Sequence, residues 1–464
     1  MPLRNLSIIF LAMFASIVCY HTASRNRHAG TLAKAMNLVV EHYVDPVDER
    51  KLFEGAMEGM MAELDPNSRY TPPAELPRFQ ESIDQKFPGI GIIIELDEKE
   101  KRLKVKMPVP KLPAFQAGLK AGDIVLKIDG IDTQGKSIEE CSKLIRGDEG
   151  TKVKLLIQRA GVDEPLEFDV LRAEIPIESV KGDRHNAAGD WIFTLPGQER
   201  IGFVRIVGFG ERTVDELKAA LETFGPGAEK IDGLILDLRS NPGGLLTAGV
   251  GVCDAFLKEG LIVSTRGRGQ KELERHSAHS DLSVPLTLPI VVLVDSHSAS
   301  ASEIVAACLQ DHERAAIAGQ RTYGKGTVQK VYMLEGNKSA LRLTFATYWR
   351  PNNKDIHKRK DALDTDDWGV RPDPGLEVAI SKELRDQLME ARLNRDLAAI
   401  DGQPDPTLPP APSKEPTDPG QPPVPEPEPD DTNPAKVKGP PPEDPQLKKA
   451  IEQLWKMIEK QAKE

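Results

Sequence analysis

The period of the apolar positions changes along this chain of 464 residues. Between residues 30 and 88, apolar side chains recur at helical spacing, as in TLAKAMNLVVEHYV and LFEGAMEGMMAEL, which predicts a helical N-terminal region. Residues 89–175 instead hold short runs typical of strands, such as GIGIIIEL, KVKMPVP and KVKLLIQRA, with one helix over SIEECSKLIRG. A small β-rich domain is therefore predicted there.

Residues 176–400 alternate between the two periods. Runs rich in β-branched residues, such as RIGFVRIVGF, IDGLILDLRS, PIVVLVD and RAAIAG, are separated by helical patterns such as TVDELKAALETF and SASEIVAACLQ. This alternation predicts an α/β domain built on a mostly parallel sheet.

Composition marks a further boundary near the C-terminal end. Residues 401–446 hold 17 of the 37 prolines, and ten acidic residues against three lysines. Such a segment cannot bury a core, so an extended, disordered linker is predicted, followed by a helix over residues 447–464. The linker is a spacer or a ligand for a groove on another protein. It carries most of the net charge of −11, and the rest of the chain offers no basic field for nucleic acid.

The N-terminal 29 residues have the pattern of an export segment. Arg4 precedes an apolar run from Leu6 to Tyr20, which has the length of a signal-peptide core and is short for a membrane span. A cleaved signal peptide and an uncleaved membrane anchor through residues 6–20 both remain open, and a buried structural helix is a weaker alternative. Either favoured alternative predicts an exported protein of the periplasm or cell envelope.

Cysteine and histidine spacing indicates no metal site. Cys141, Cys253 and Cys308 each lie in an apolar helical pattern, which predicts buried small side chains rather than disulfides. No cluster has the spacing of zinc ligands, so neither a metal nor another cofactor is predicted.

A glycine-rich segment, GQRTYGKGT, differs at one position from the sequence motif of a phosphate-binding loop. Two features argue against nucleotide binding: Gly326 stands where that loop has a hydroxyl, and the following TVQKVYML alternates like a strand rather than beginning a helix. Lys325 is therefore either a solvated surface charge, the usual case for a lysine, or a lysine whose pKa is lowered by burial so that it acts as a base.

Upstream, VVLVDSHSASASEIVAACLQ leads a buried strand into a helix through a turn with several serines. A serine there commonly caps the helix. A serine in the first helical turn also lies beside free backbone N–H groups that can stabilise an oxyanion.

The segments SASASEIVAACLQD and RAAIAGQRTYGKGTVQ closely resemble the carboxyl-terminal processing peptidases, also called tail-specific proteases. These are serine proteases with a Ser-Lys pair and a PDZ domain. The resemblance implies that Ser300 is the nucleophile, that Lys325 is the general base and that Gln329 helps to position the lysine.

Two further motifs extend the resemblance. AFQAGLKAGDIVLKIDG resembles a PDZ domain, which binds extended peptide tails at an open sheet edge. LDLRSNPGGLL resembles the family's turn beside the active site. The implied oxyanion donors are the backbone N–H groups of Gly243, Gly244 and Ala301. The implied tail-binding residues are Gly89, Ile90, Gly91 and Ile92.

The implied fold is α/β, with a mixed α/β protease core of the crotonase/ClpP-like type, an inserted β-rich PDZ domain and a helical N-terminal region. The implied function is a serine endopeptidase that binds C-terminal tails through the PDZ domain and cleaves through an acyl-enzyme. Its partners are proteins or peptides with accessible C-termini; an adaptor or activating protein and a homo-oligomer remain open. Arg146, at the end of the PDZ helix, is a candidate for gating, and a solvated helix-end charge is the alternative.

Two other classes of function compete with this interpretation. One is a binding module, a PDZ-bearing chaperone or scaffold on an inactive protease fold, which an intact Ser300, Lys325 and Gln329 argue against. The other is a hydratase or acyl-thioester enzyme, since the core type resembles the crotonase fold. Such enzymes usually use paired carboxylates and lack a PDZ domain.

Overall fold

The computed structural model describes residues 10, 12–16, 27–97, 99–186, 189–228, 230–279, 282–398 and 442–463. Most of the predicted export segment and residues 401–441 of the predicted linker lie outside the described residues. Within the described part, none of the helices is both long and apolar enough to cross a membrane.

The chain divides into two compact units, Met1–Pro77 with Gln329–Phe345, and Arg78–Val328 with Ala346–Glu464. The helices of both units, in chain order, are α1 (Arg27–His42), α2 (Glu49–Ala62), α3 (Leu76–Asp84), α4 (Pro113–Gln116), α5 (Ile138–Ile145), α6 (Thr213–Glu222), α7 (Leu246–Asp254), α8 (Ala301–Asp311), α9 (Lys382–Ala398) and α10 (Pro445–Gln461). Helix α10 begins two residues before its predicted start, because Asp444 caps it by accepting the N–H groups of Gln446 and Leu447. Helix α9 was not predicted.

The first unit combines helices α1 and α2 with a short antiparallel pairing. Strand β1 (Arg69–Thr71) pairs with residues 340–342, so that Tyr70 lies opposite Leu341. Asp48 caps α2 by accepting the N–H groups of Arg50 and Lys51. The helices predicted for the N-terminal region are therefore present.

The β-rich region of the second unit forms the predicted small domain. Its strands are β2 (Lys86–Gly89), β3 (Ile92–Leu96), β4 (Leu103–Pro108), β5 (Ile124–Ile128), β6 (Ile131–Asp132), β7 (Lys152–Gln158), β8 (Leu166–Leu171) and β9 (Ala173–Pro176). The main sheet has the order β3-β4-β5-β7-β8 and encloses an apolar core that includes Val105, Val153 and Ile157. Strands β2 and β9 pair antiparallel, so the chain enters and leaves the domain at one place, as an inserted domain requires.

The remaining strands form the α/β region, except that residues 329–334 of β20 and residues 339–345 of β21 belong to the first unit. They are β10 (Val180–Lys181), β11 (Arg184–His185), β12 (Trp191–Ile192), β13 (Thr194–Leu195), β14 (Gln198–Ile206), β15 (Gly233–Asp237), β16 (Leu261–Arg266), β17 (Glu272–Ser277), β18 (Ile290–Val294), β19 (Ala316–Gly319), β20 (Thr327–Leu334) and β21 (Ser339–Trp349). Strands β14, β15, β18 and β19 are parallel neighbours, which confirms the predicted parallel sheet. In this unit β16 also pairs antiparallel with β17 and with residues 347–349 of β21.

The central strands are buried on both faces, as is usual for a parallel sheet. Every residue of β15 and β18 is buried, as their continuous apolar runs require when helices cover both faces. Helix α10 packs its Ala450 and Leu454 onto β15, β18 and β19. Helix α8 contacts β19 and its neighbour α7. The turn that leads from β18 into α8 therefore lies at the carboxyl edge of the sheet, where α/β proteins commonly place their sites.

Candidate active site

Four serines follow β18, and their side chains have different surroundings. The Ser298 hydroxyl donates to the Leu238 carbonyl oxygen at 2.8 Å, and the Ser302 hydroxyl donates to that of Asn241 at 2.9 Å. Ser296 is exposed beside His297. Ser298 and Ser302 thus hold the turn together, which leaves Ser300 as the buried serine at the start of α8.

Ser300 has an unusual backbone conformation. Its φ is 56° and its ψ is −114°, a combination that a residue with a Cβ rarely adopts. Such strain persists only when neighbouring groups enforce it, and it is commonly found at functional sites. The side chain of Ser300 interacts with that of Tyr348 and lowers the pKa of the tyrosine.

Asn241 connects the LRSNPGG segment to this turn. Its carbonyl oxygen accepts the Ala299 N–H at 3.0 Å as well as the Ser302 hydroxyl. Its side chain, completely buried, donates to the Ile206 carbonyl and accepts the Gly243 N–H at 2.9 Å. The turn after β15 and the turn after β18 are therefore fastened to each other.

This arrangement also involves the residues predicted as oxyanion donors. The Gly243 N–H donates to Asn241 Oδ1. A Cβ on Gly243 would lie 2.7 Å from Ser300 Cβ, which explains the glycine by close approach. Gly244 has a φ of 152° and bridges to Phe209. Ala301 is the first residue of α8, so its N–H has no acceptor within the helix.

Lys325 lies in the segment between β19 and β20 and is partly buried. The Tyr323 N–H donates to the Ser298 carbonyl oxygen at 3.0 Å, which joins the lysine segment to the serine turn. The Gly326 carbonyl oxygen accepts the Tyr348 N–H at 2.7 Å, and a Cβ on Gly326 would overlap with the His357 backbone. The glycine beside the lysine is thus explained by crowding rather than by phosphate binding.

The predicted third site residue, Gln329, belongs to the first compact unit. Its side-chain amide donates to the Thr344 hydroxyl at 3.2 Å, and that hydroxyl donates to Asp65 at 3.0 Å. The structure therefore orients the Gln329 side chain through Thr344.

Glu303 is a site residue that the sequence analysis missed. Its side chain is completely buried, and both carboxylate oxygens accept hydrogen bonds. Oε2 accepts the backbone N–H groups of Ser300 and Lys325, at 2.9 and 2.8 Å, and Oε1 accepts the Gly324 N–H and the Thr322 hydroxyl, each at 2.6 Å. Burial raises the pKa of Glu303 to about 7, against the opposing effect of these four bonds.

Tyr348 is the second missed residue. It lies in β21 opposite Thr265 and is 4% exposed. Burial raises its pKa to about 12, while its interaction with Ser300 acts in the opposite direction. No local pattern marked this tyrosine, because only the pairing of β21 with β16 brings it to the serine.

The PDZ-like domain offers an open sheet edge. Strand β3 is an end strand of its sheet and pairs with β4 within the described residues, while helix α5 contacts it from one side. Of the predicted tail-binding residues Gly89–Ile92, Ile90 is buried and Gly91 has a φ of 75°. A Cβ on Gly91 would lie 2.5 Å from Leu112 Cβ, so the loop before β3 requires glycine there.

Arg146, the candidate gating residue, is not a solvated charge. Its guanidinium donates to both oxygens of Glu81 at 2.6 Å and lies 4.7 Å from the ring centre of Phe87. It therefore connects the end of α5 to α3 and β2. Between α3 and β2, the Gln85 side chain accepts the Arg212 N–H from the start of α6 at 3.0 Å.

Comparison with known proteins identifies the relatives of this chain. Residues 200–374 match peptidase family S41, residues 104–159 match a PDZ domain, and residues 20–72 match the activating protease CtpB N-terminal domain. Ser300, Glu303, Lys325 and Tyr348 all lie within the peptidase match.

Individual proteins are also similar to most of this chain. The carboxy-terminal-processing protease of Bartonella bacilliformis is 38% identical over 354 residues, which cover 76% of this chain and 77% of the relative. The carboxy-terminal processing protease CtpB of Bacillus subtilis is 32% identical, covering 73% of this chain and 67% of the relative. A solved photosystem II D1 C-terminal processing protease is 29% identical, covering 75% of this chain and 92% of that one, with a TM-score of 0.41. The chain belongs to peptidase family S41 and is a serine-type peptidase of the carboxyl-terminal processing group.

Proposed function

We propose that the chain cleaves proteins after capturing their C-terminal tails, with Ser300 as nucleophile and Lys325 as general base. The observation that carries the proposal is the common attachment of both residues to Glu303 Oε2, since it holds the strained serine turn and the lysine segment side by side. Family membership supplies the reaction type, and the motifs around the two residues resemble those that carry the family's Ser-Lys pair.

In the proposed reaction, Lys325 Nζ takes the proton of the Ser300 hydroxyl as its oxygen attacks the peptide carbonyl. The resulting oxyanion is stabilised by backbone N–H groups at the start of α8, with Ala301 and Gly244 as donors. The C–N bond then breaks, the lysine returns the proton to the leaving amine, and an acyl-enzyme remains. Water, deprotonated by Lys325, attacks the ester and releases Ser300.

Tail capture is assigned to β3 of the PDZ domain. An extended peptide would add a strand at its open edge, in front of α5, with its carboxylate at the backbone of Gly89–Ile92. The ion pair of Arg146 with Glu81 supports a role for this arginine in transmitting tail binding to the rest of the unit. Gln329 is proposed to orient Lys325, and an adaptor or activating protein is a proposed partner.

We also propose a fold type for the core and a location for the protein. The parallel arrangement of β14, β15, β18 and β19, with α7 and α8 beside it, supports a core of the crotonase/ClpP-like type. The apolar run from Leu6 to Tyr20 after Arg4 supports export to the periplasm or cell envelope. N-terminal sequencing of the fractionated protein distinguishes a cleaved signal from an anchor.

The deciding experiment uses an unfolded reporter that ends in an apolar tail. Wild type, Ser300→Ala and Lys325→Ala are compared without added metal or nucleotide, and a reporter with an amidated C-terminus tests tail capture. We expect both variants to lose more than about 1,000-fold in kcat, and the amidated reporter to be cut more slowly. Full activity in either variant would contradict the assigned pair, and equal cutting of both reporters would contradict tail capture.

A further inference from the structure

We propose that Glu303 is the positioning residue of the active site, a single buried carboxylate that sets the distance between the nucleophile and the base. This inference rests on the proposed roles of Ser300 and Lys325. It assigns to Glu303 no contact with substrate.

The contacts of the two carboxylate oxygens carry the argument. Ser300 is the residue before α8 and Lys325 follows β19, so these residues come from different elements of the fold. Their N–H groups nevertheless donate to the same atom, Glu303 Oε2. Hydrogen-bond lengths vary little, so this shared acceptor fixes one backbone against the other.

The carboxylate also maintains the strained serine. A φ of 56° at Ser300 needs support from outside the residue, and the bond from the Ser300 N–H to Glu303 supplies part of it. On the other side, the Gly324 N–H donates to Oε1, so two consecutive residues of the lysine segment are held. Both members of the catalytic pair thus depend on one side chain.

A helix cap alone does not account for these contacts. The spacing of Ser300 and Glu303 is that of a capping box, in which the glutamate accepts the N–H of the cap residue. The bonds to Gly324 and Lys325 lie outside the helix and add nothing to its end. Because a fully buried carboxylate is costly, its full set of four donors indicates a function in joining the two segments.

Variants at Glu303 separate positioning from simple packing. Glu303→Met keeps most of the volume and removes every acceptor, whereas Glu303→Gln keeps one acceptor oxygen, which can face Ser300 and Lys325. Thr322→Val is the matched control, because it removes one bond to the same carboxylate on the side away from Ser300 and Lys325. Cleavage of the reporter gives kcat and KM, a serine-directed fluorophosphonate probe gives the rate of Ser300 labelling, and thermal unfolding gives Tm.

We expect Glu303→Met to lower kcat and the labelling rate by about 100-fold, with KM within about threefold of wild type, because a displacement of about 1 Å in such a site costs a factor of this size. Glu303→Gln should recover part of the loss, to within about tenfold of wild type. Thr322→Val should lower Tm while leaving kcat within about threefold.

Two outcomes would overturn the proposal: a folded Glu303→Met with wild-type kcat, or a loss of kcat that follows Tm equally in all three variants. If Glu303→Met does not fold, the kcat values of Glu303→Gln and Thr322→Val are compared under conditions where both have lost the same amount of Tm. An equal loss of kcat in the two would then overturn the proposal. Ser300→Ala and Lys325→Ala are measured in parallel. Activity in those two would reject the proposed function, whereas their inactivity beside an active Glu303→Met would reject only the role of Glu303.

Discussion

At the scale of single residues, burial of the Glu303 carboxyl couples folding to pH. Its pKa is about 7 in the folded chain against an ordinary value of 4.5. Among the groups that face it are Ser300, Thr322, Gly324, Lys325 and Gly369, and the first four of these donate hydrogen bonds to it. The four donors fit the ionised form, whereas burial favours the protonated form.

The sign of the effect on stability follows from these two pKa values. Between pH 4.5 and about 7 the folded chain retains a proton that the unfolded chain releases, so this contribution is complete below pH 4.5 and is lost as pH rises through 7. Its size is on the order of 3 kcal/mol. Urea unfolding should therefore show that wild type loses stability relative to Glu303→Gln between pH 4.5 and 8. A constant difference between the two proteins would contradict a raised pKa.

The sequence anticipated some residues of this site and not others. Ser300 and Lys325 stand in recognisable motifs, and the structure attaches both to one carboxylate. Glu303 had a visible signal, the Ser-x-x-Glu spacing, but its bonds to residues 322–325 depend on how the next strand returns. No sequence motif pointed to Tyr348. The hydrogen bond from the Gly243 N–H to Asn241 Oδ1 could likewise not be read from the sequence.

At the scale of elements, the period of the apolar residues predicted the type of secondary structure where a segment is buried in a regular pattern. The continuous apolar runs became the buried strands β15 and β18, and the alternating run after Lys325 became β20. Helix α9 was missed because its sequence is mostly polar, so its apolar positions give little helical period. Pairings such as β16 with β21 join distant residues, and periodicity within one segment carries no information about its partner.

The loop before β3 is the element on which tail binding should depend. Gly91→Ala would place a Cβ 2.5 Å from Leu112 Cβ, whereas the matched control Gly122→Ala has a similar φ of 86° and nothing within 4 Å. Both changes strain the backbone by about 1–2 kcal/mol. We expect only Gly91→Ala to weaken binding of a tail peptide, by about tenfold or more, with cleavage of a short amidated peptide unchanged. Fluorescence anisotropy measures the binding, and equal affinities for both variants would exclude this loop.

At the scale of the whole molecule, the protease core of the second unit is completed by residues from its C-terminal end. Helix α10 lies after residues 399–441, yet its Leu454 is completely buried against strands that begin near residue 233. The Arg239 guanidinium, which follows β15, also donates to Asp444 at the start of α10. Folding of the core therefore brings together residues that are far apart in sequence, and the entropic cost of such a contact grows only slowly with that separation.

Leu454→Ala tests how much the packing of α10 against the sheet contributes to the stability of the core. A Cβ on Gly233 would lie 2.9 Å from Leu454, so the leucine fills a site shaped for it and its loss leaves a cavity that the rigid sheet cannot close. We expect the free energy of unfolding of the core to fall by about 2–5 kcal/mol. Glu452→Ala, on the exposed face of the same helix, should change it by less than about 0.5 kcal/mol. Urea unfolding followed by tryptophan fluorescence measures both variants. Equal midpoints would mean that α10 docks without supporting the sheet.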